Sequence, residues 1–298
     1  MTAVAVSHDQ DQGPAPAVRP GARHRPSWLG SAILLVGAVY CLLPIAWVVA
    51  ASTKNGSDLF TSFTFAPGTG FFENLGELSA NGDGIYWRWL VNTAIYAGVG
   101  GALSALVSGI SGYTLAKYRF AGRSAIFNVL LAGVLVPGIT LAVPQYLLLA
   151  EVGLTDTYWA VLLPQIISPY GIYLARIYAA AAVPDTVVEA ARTDGAGEFR
   201  IFARVALPMM VPGLVTVFLF QFVAIWNNFL LPFIMLSSDD KFPVTVGLFT
   251  LLNQGSTVPA LYSLVILGSL LSIIPLIVLF LTLQRYWRTD LISGAVKG

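Results

Sequence analysis

The stretch WLGSAILLVGAVYCLLPIAWVVAA, residues 28–51, contains no charged side chain. Coiled as a helix at about 1.5 Å per residue, it is long enough to cross the roughly 30 Å hydrocarbon layer of a bilayer. It also exceeds the core of a cleavable export signal, roughly 7 to 15 apolar residues, so it is expected to stay in the mature chain as a first span. Five further stretches have the same character: Trp89 to Ala116, Ala125 to Leu149, Thr157 to Tyr178, Met209 to Leu236 and Leu261 to Leu283. The sequence therefore predicts an all-α polytopic membrane protein with six transmembrane helices.

Composition agrees. Hydrophobic residues make up 56% of the 298 and charged residues 10%, with a mean hydropathy of +0.75. So few charges cannot cover a soluble globule, and the surface must face lipid. The formal net charge of +1 gives no footprint for nucleic acid. Cys41 is the single cysteine, which excludes an intrachain disulfide, and His24 lies in a polar tail, so a metal centre has little to work with. Three regions follow: a tail at 1–27, rich in Ala, Pro, Gln and Asp and expected to be disordered; a six-span domain at 28–283; and a short tail at 284–298.

Charge sets the expected orientation. With both termini in the cytoplasm, Arg19, Arg23, Arg25, Lys117, Arg119, Arg123, Arg176, Arg192, Arg200, Arg204, Arg285, Arg288 and Lys297 fall inside, and only Lys54, Arg88 and Lys241 outside. In the second span, Gly101, Ala105 and Gly109 recur at four-residue spacing, a seam that lets another helix backbone come close. Pro137, Pro144, Pro164, Pro169, Pro212, Pro232 and Pro275 lie in or beside spans, where freed carbonyls must be met by protein or by a water-filled cavity.

No Asp, Glu, Lys or Arg occupies the middle of a span, which argues against a proton relay or a voltage sensor. No phosphate-cradling G-x-x-x-x-G-K-[ST] loop and no H-E-x-x-H occurs, so the chain is expected to be neither an ATPase nor any other enzyme. Energy must enter from outside. The informative polar segment is AAAAVPDTVVEAARTDGAGEFRIFARVALPMMVP, residues 179–212. Pro184 and Asp185 suit a helix start, Val187, Val188 and Ala191 share a face with Glu189 and Arg192 off it, and Gly195 suits the stop. Phe199, Phe202 and Val205 begin a second helical stretch, and Pro208 and Pro212 mark entry to the fifth span. A short amphipathic helix of this kind fits either a partner's groove or the lipid headgroup layer.

The spacing resembles the EAA loop of binding-protein-dependent ABC permeases: E-A-A, three residues, G, nine residues, I, one residue, L-P. Here it reads Glu189, Ala190, Ala191, Gly195, Val205, Leu207 and Pro208, with Val in place of Ile. The wider chain, from Trp28 to Gly298, is similar to the carbohydrate-uptake, MalG-like branch in the Asn92 region with YTLAKYRFAGR, in VPQYLLLAEVGLTDTYWAVLLPQ, in VPDTVVEAARTDGA, in WNNFLLPF and in the ending GAVKG. The resemblance implies a coupling loop over about 184–208, with Asp194 in its tip, that docks in a cleft of a separate ATPase. It implies four partners: a second homologous permease subunit, two ATPase subunits, and an extracytoplasmic solute-binding protein. It implies no cofactor in this chain, ATP and Mg being bound by the ATPase, and a multi-pass place among the lipids of a bacterial plasma membrane. A sugar is the expected solute, moved by alternating access.

For the solute path, Gln145, Gln165, Gln221, Asn227 and Asn228 are uncharged polar groups in or near spans, flanked by Tyr146, Trp226 and Phe229. Such a mixture suits hydrogen bonding and stacking on sugar rings, and equally suits bonds between membrane helices. The same machinery carrying glycerol phosphate, a polyol or a peptide remains open, and so does a channel or scaffold, which leaves the EAA spacing unexplained. The lack of fixed charge leans towards a neutral solute.

Overall fold

The computed structural model describes residues 28–56, 58–255, 258 and 260–295, with side chains through Tyr286. The tail at 1–27 lies outside the described residues, as do residues 296–298 of the GAVKG ending. Every regular element among the described residues is helical. Besides single turns at Asp58–Thr61, Asn81–Gly84 and Asp239–Lys241, they are in order α1 (Trp28–Ser52), α2 (Phe71–Ala80), α3 (Ile85–Lys117), α4 (Arg123–Val134), α5 (Gly138–Glu151), α6 (Tyr158–Ile166), α7 (Pro169–Ala182), α8 (Asp185–Thr193), α9 (Glu198–Trp226), α10 (Leu230–Met235), α11 (Val244–Gln254) and α12 (Ala260–Ala295). The described residues fall into two units divided between Ile45 and Ala46: the first holds most of α1, and the second is described below.

Four helical runs are long and apolar enough to cross a membrane: Trp28–Ser52, Phe71–Lys117, Glu198–Trp226 and Ala260–Tyr286. The expected count of six is reached only when two bent pairs each serve as one span. In the first, the stretch expected as one span over Ala125 to Leu149, α4 and α5 meet at 104°. Pro137 accounts for the break, though not for its angle: it has no N–H to continue α4, and a residue before proline disfavours the helical region. The second pair, α6 and α7, bends by 42° at Ile167–Ser168. There Ser168 caps α7, its Oγ accepting from the Gly171 N–H at 3.0 Å, and Pro169 takes the first helical position.

The fifth stretch also differs from expectation. Its helix begins at Glu198 rather than near Met209 and stops at Trp226, and α10 resumes only at Leu230. A wide turn over Phe202–Ala206, closed by the Leu207 N–H on the Phe202 carbonyl, carries the helix smoothly up to Pro208, which has no N–H to give. Pro208 and Pro212 are therefore inside this helix rather than at its entrance.

Helix α3 is the axis of the second unit. Its seam of small residues works as expected: a β-carbon on Gly101 would stand 3.4 Å from the backbone nitrogen of Phe222 in α9, and one on Gly109 would stand 3.0 Å from Leu214. In lipid, where helices gain nothing by hiding from water, such close approach supplies the attraction. Tyr96, Ala160, Val161, Phe222, Ile225 and Trp226 form one buried cluster at this crossing.

At one end of the unit the loop from Leu236 to Pro243 is held by Asp156, in the turn before α6. The Asp156 carboxylate accepts from the backbone N–H groups of Ser237 and Ser238 (both 3.0 Å), from the Ser238 hydroxyl (2.5 Å) and from Lys241 Nζ (3.0 Å). Burial alone would raise its pKa, but these donors outweigh it and hold the carboxyl well below the ordinary carboxylate range. Because the folded pKa is depressed, the contribution to stability is complete above the ordinary value of about 4 and is lost as pH falls through the lower folded value. Asp156 also sits at φ 54°, which aspartate and asparagine tolerate better than alanine. Asp156→Ala should cost about 2–3 kcal/mol, and Asp156→Asn less, as read by thermal unfolding in detergent at neutral pH.

Candidate functional site

The segment after α7 folds as a short helix standing off the end of the bundle. Helix α8 packs its inner face, Val188 and Ala191, against Tyr113, Val183, Ile201, Ala206 and Met210. Val187, expected on that face, is 38% exposed instead. The helix has room for only a narrow contact stripe, and 188 and 191 lie at its centre with 187 at its margin. Asp194 and Ala196 donate their N–H groups back to the carbonyls of Ala190 and Ala191, both at 3.0 Å, which ends the helix. The turn requires φ +78° at Gly195, and a β-carbon there would meet nothing within 4 Å. Glu189, Ala190, Asp194 and Gly195 are all exposed on this tip. Leu207, half-buried, and Pro208, exposed, stand apart from it in α9.

Two ion pairs brace α8, one at each end. Lys117 Nζ, whose side chain is only 6% exposed, donates to Asp185 Oδ1 at 2.6 Å. Past the Gly195 turn, the Glu198 carboxylate accepts from Arg192 Nε at 2.7 Å and Nη2 at 3.3 Å, and from the Tyr118 hydroxyl. Lys117 lowers the pKa of Asp185, and the Glu198 carboxylate raises that of Arg192, so both stay charged. The braces end on consecutive residues, Lys117 and Tyr118, where α3 stops. Sequence reasoning missed these partners. Opposite charges at 192 and 198 flanking a glycine turn were the available signal for one; nothing local links 117 to 185. A cavity of about 400 Å³ lies between the brace and the tip, lined by Lys117, Arg119, Asp185, Glu189 and Arg192 among others.

A second cavity, of about 340 Å³, lies where the two bent pairs meet α10, and it brings together Gln145, Gln165 and Asn228. Asn228 Nδ2 donates to Gln165 Oε1 at 3.3 Å, and Gln165 Nε2 donates to the Val161 carbonyl at 2.7 Å. The other polar candidates are elsewhere. Gln221 Nε2 donates to Ser168 Oγ at 2.5 Å, Asn227 Nδ2 to the Val223 carbonyl at 2.8 Å, and Tyr146 does not line the cavity. Trp226, 2% exposed, stacks on Phe222 in the core, and Phe229 packs with Phe233 and Phe249.

Residues 101–291 match the family described as binding-protein-dependent transport system inner membrane component. An arabinooligosaccharides transport system permease protein, AraQ, of Halalkalibacterium halodurans is 34% identical, over 91% of this chain and 97% of its own. The lactose transport system permease protein LacG of Rhizobium radiobacter is 31% identical, over 92% and 98%. Among solved structures, a bacterial ABC transporter involved in the import of the acidic polysaccharide alginate contains a chain of the same fold, with TM-score 0.74 at 23% identity, over 87% of this chain and 95% of that one. With a shared family match over most of its length, relatives that are themselves transport permeases, and the same multi-helix fold, the chain belongs to the binding-protein-dependent transport system inner membrane components: it is a multi-pass membrane permease and not an enzyme.

Proposed function

We propose that this chain is one half of the membrane pore of a sugar importer, driven by a separate ATPase through α8. The observation that carries the reading is the tip itself: a short helix fixed at both ends by Lys117–Asp185 and Arg192–Glu198, with Glu189, Ala190, Asp194 and Gly195 left exposed. A helix held that firmly yet presented outward suits transmission of force to and from a docked partner better than lying on lipid. Ala191, behind the tip, keeps it close to the bundle, and Leu207 and Pro208 join it to α9.

The partners are a second homologous permease subunit, two ATPase subunits that bind ATP and Mg, and an extracytoplasmic solute-binding protein. The basic residues at the α8 end support a cytoplasmic place for that end and for both termini. The tails at 1–27 and 284–298 then flank a permease domain at 28–283. The named substrates of the sugar-transporting relatives support a neutral saccharide, and the cavity with Gln145, Gln165 and Asn228 offers uncharged hydrogen-bonding groups of the kind that sugar hydroxyls need. Tyr146, Gln221, Trp226 and Asn227 act around that path through packing and through the Gln221–Ser168 bond.

Purification of the tagged chain from its native membrane in mild detergent should bring down a homologous permease and an ATPase. Hydrolysis in that complex should rise with the binding protein loaded with arabinooligosaccharides or lactose, more than with a polyol or glycerol phosphate. Stimulation only by a charged solute would overturn the sugar assignment, and recovery of the chain alone, without ATPase activity, would overturn the importer reading.

A further inference from the structure

Helix α3 is hydrogen-bonded at both ends to segments outside the membrane domain's core. At its start, Trp89, Asn92, Thr93 and Tyr96 form one stripe, each no more than 3% exposed. Trp89 Nε1 donates to the Asp239 carbonyl at 2.8 Å, Asn92 Nδ2 to those of Asp240 (2.9 Å) and Phe242 (3.0 Å), and the Tyr96 hydroxyl to that of Lys241 (3.0 Å). The Tyr158 hydroxyl donates to Asn92 Oδ1 at 2.8 Å and so fixes the amide that grips the loop. At the other end, Lys117 and Tyr118 hold both ends of α8 through Asp185 and Glu198. Between Asn92 and Lys117 the helix runs about 38 Å without a proline or a break.

Two neighbouring routes across the unit are interrupted. Helix α7 stops at the bend with α6, and α9 stops at Trp226, where Asn227 and Asn228 bond Val223 and Gln165 rather than the loop. Side chains serving only to fill an apolar interface would need no polar atoms; Trp89, Asn92 and Tyr96 donate theirs to loop carbonyls, and Thr93 Oγ1 accepts from the Val244 N–H at 2.7 Å just past the loop.

We propose that α3 is a strut by which the coupling helix α8 and the loop Leu236–Pro243 report on each other, with Asn92 and Tyr96 as positioning residues at one end and Lys117 and Tyr118 at the other. The proposal rests on the coupling role of α8 given above. A displacement of α8 tilts α3 and moves the loop, and by linkage a partner that grips the loop biases α8 by the same free energy.

The test uses the full complex with its ATPase, in membranes, with Cys41→Ser to remove this chain's single thiol and Ser237→Cys to report on the loop, the label being read on this chain after the subunits are separated; Ser237 is exposed. The probe is a charged maleimide, and its labelling rate is compared without nucleotide and after trapping with ATP and vanadate. The rate should change about fivefold or more, and Asn92→Ala, the milder Tyr96→Phe, and the remote Tyr118→Phe should each shrink that change to under about twofold. A merely structural role for Tyr118, which has no contact with the loop, would leave the response at Ser237 intact. A response that persists in all three variants, or a parent complex whose loop does not respond although the ATPase co-purifies, overturns the strut alone. A parent chain with no ATPase bound overturns the coupling reading and the strut with it.

Discussion

Replacing Gly195 with arginine should leave the chain inserted and folded yet reduce solute uptake by about 100-fold or more, the scale of losing a central contact in an interface. The cost to folding is small because a β-carbon at Gly195 meets nothing within 4 Å. What remains is the strain of a non-glycine residue at φ +78°, about 1–2 kcal/mol. The guanidinium instead projects from the exposed tip beside Glu189 and Asp194, into space that the proposed docking assigns to the ATPase cleft. Gly195→Asn separates the two effects, since asparagine tolerates the same backbone and has a short side chain. It should retain most of the uptake. Radiolabelled sugar uptake, read beside the amount of chain in the membrane, decides the matter, and transport at parental rate by Gly195→Arg would sink the coupling role of the tip.

The opposite pattern is expected at Gly112. A β-carbon there would lie 2.6 Å from the backbone nitrogen of Arg176 and 2.7 Å from the carbonyl carbon of Ala175. Backbone cannot swing aside as the end of a side chain can, so α3 and α7 must part along their contact. Gly112→Ala should cost about 3 kcal/mol, and Gly112→Leu should remove folded chain from the membrane altogether. Gly98, on the same helix, provides the control, because its β-carbon would meet nothing within 4 Å. Gly98→Leu should purify in normal yield. Size-exclusion profiles and melting temperatures in detergent read the difference, and equal tolerance at the two sites would refute the close α3–α7 contact.

Together these variants separate the surface proposed to hand over force from the seam that holds the bundle together. Rigidity matters because the braces on α8 end at Lys117 and Tyr118, at the end of α3. A loose α3–α7 seam would absorb the motion of α8 before it reached the cavity at Gln145, Gln165 and Asn228.

The parts of this arrangement that depend on nearest neighbours along the chain were legible without coordinates. Uncharged runs longer than a bilayer is thick must be buried in lipid as helices, since no other form satisfies their backbone there. The short helix at 185–193 with its glycine stop follows from local pattern, and so does the small-residue seam on the second span. What local pattern cannot carry is direction and pairing. Pro137 signals a break, but the 104° between α4 and α5 is set by what each half packs against. A helical stretch from Phe199 was legible, but its continuity with the fifth span was not, because Pro208 reads as a boundary until the wide turn before it is seen.

Side-chain chemistry divides in the same way. The sequence by itself determined that this is a polytopic all-α membrane protein with an exposed glycine-stopped helix, because hydrophobic thickness and helix termination are properties of short contiguous segments. Only the tertiary structure decided that Gln165 meets Asn228, that Gln221 turns to Ser168, that Trp226 is core, and that α3 grips both Asp185 and the Asp239–Phe242 carbonyls. The physical reason is that a polar group in lipid must find a partner but has no preference for one nearby in sequence. The bundle's packing chooses among the many that are chemically acceptable.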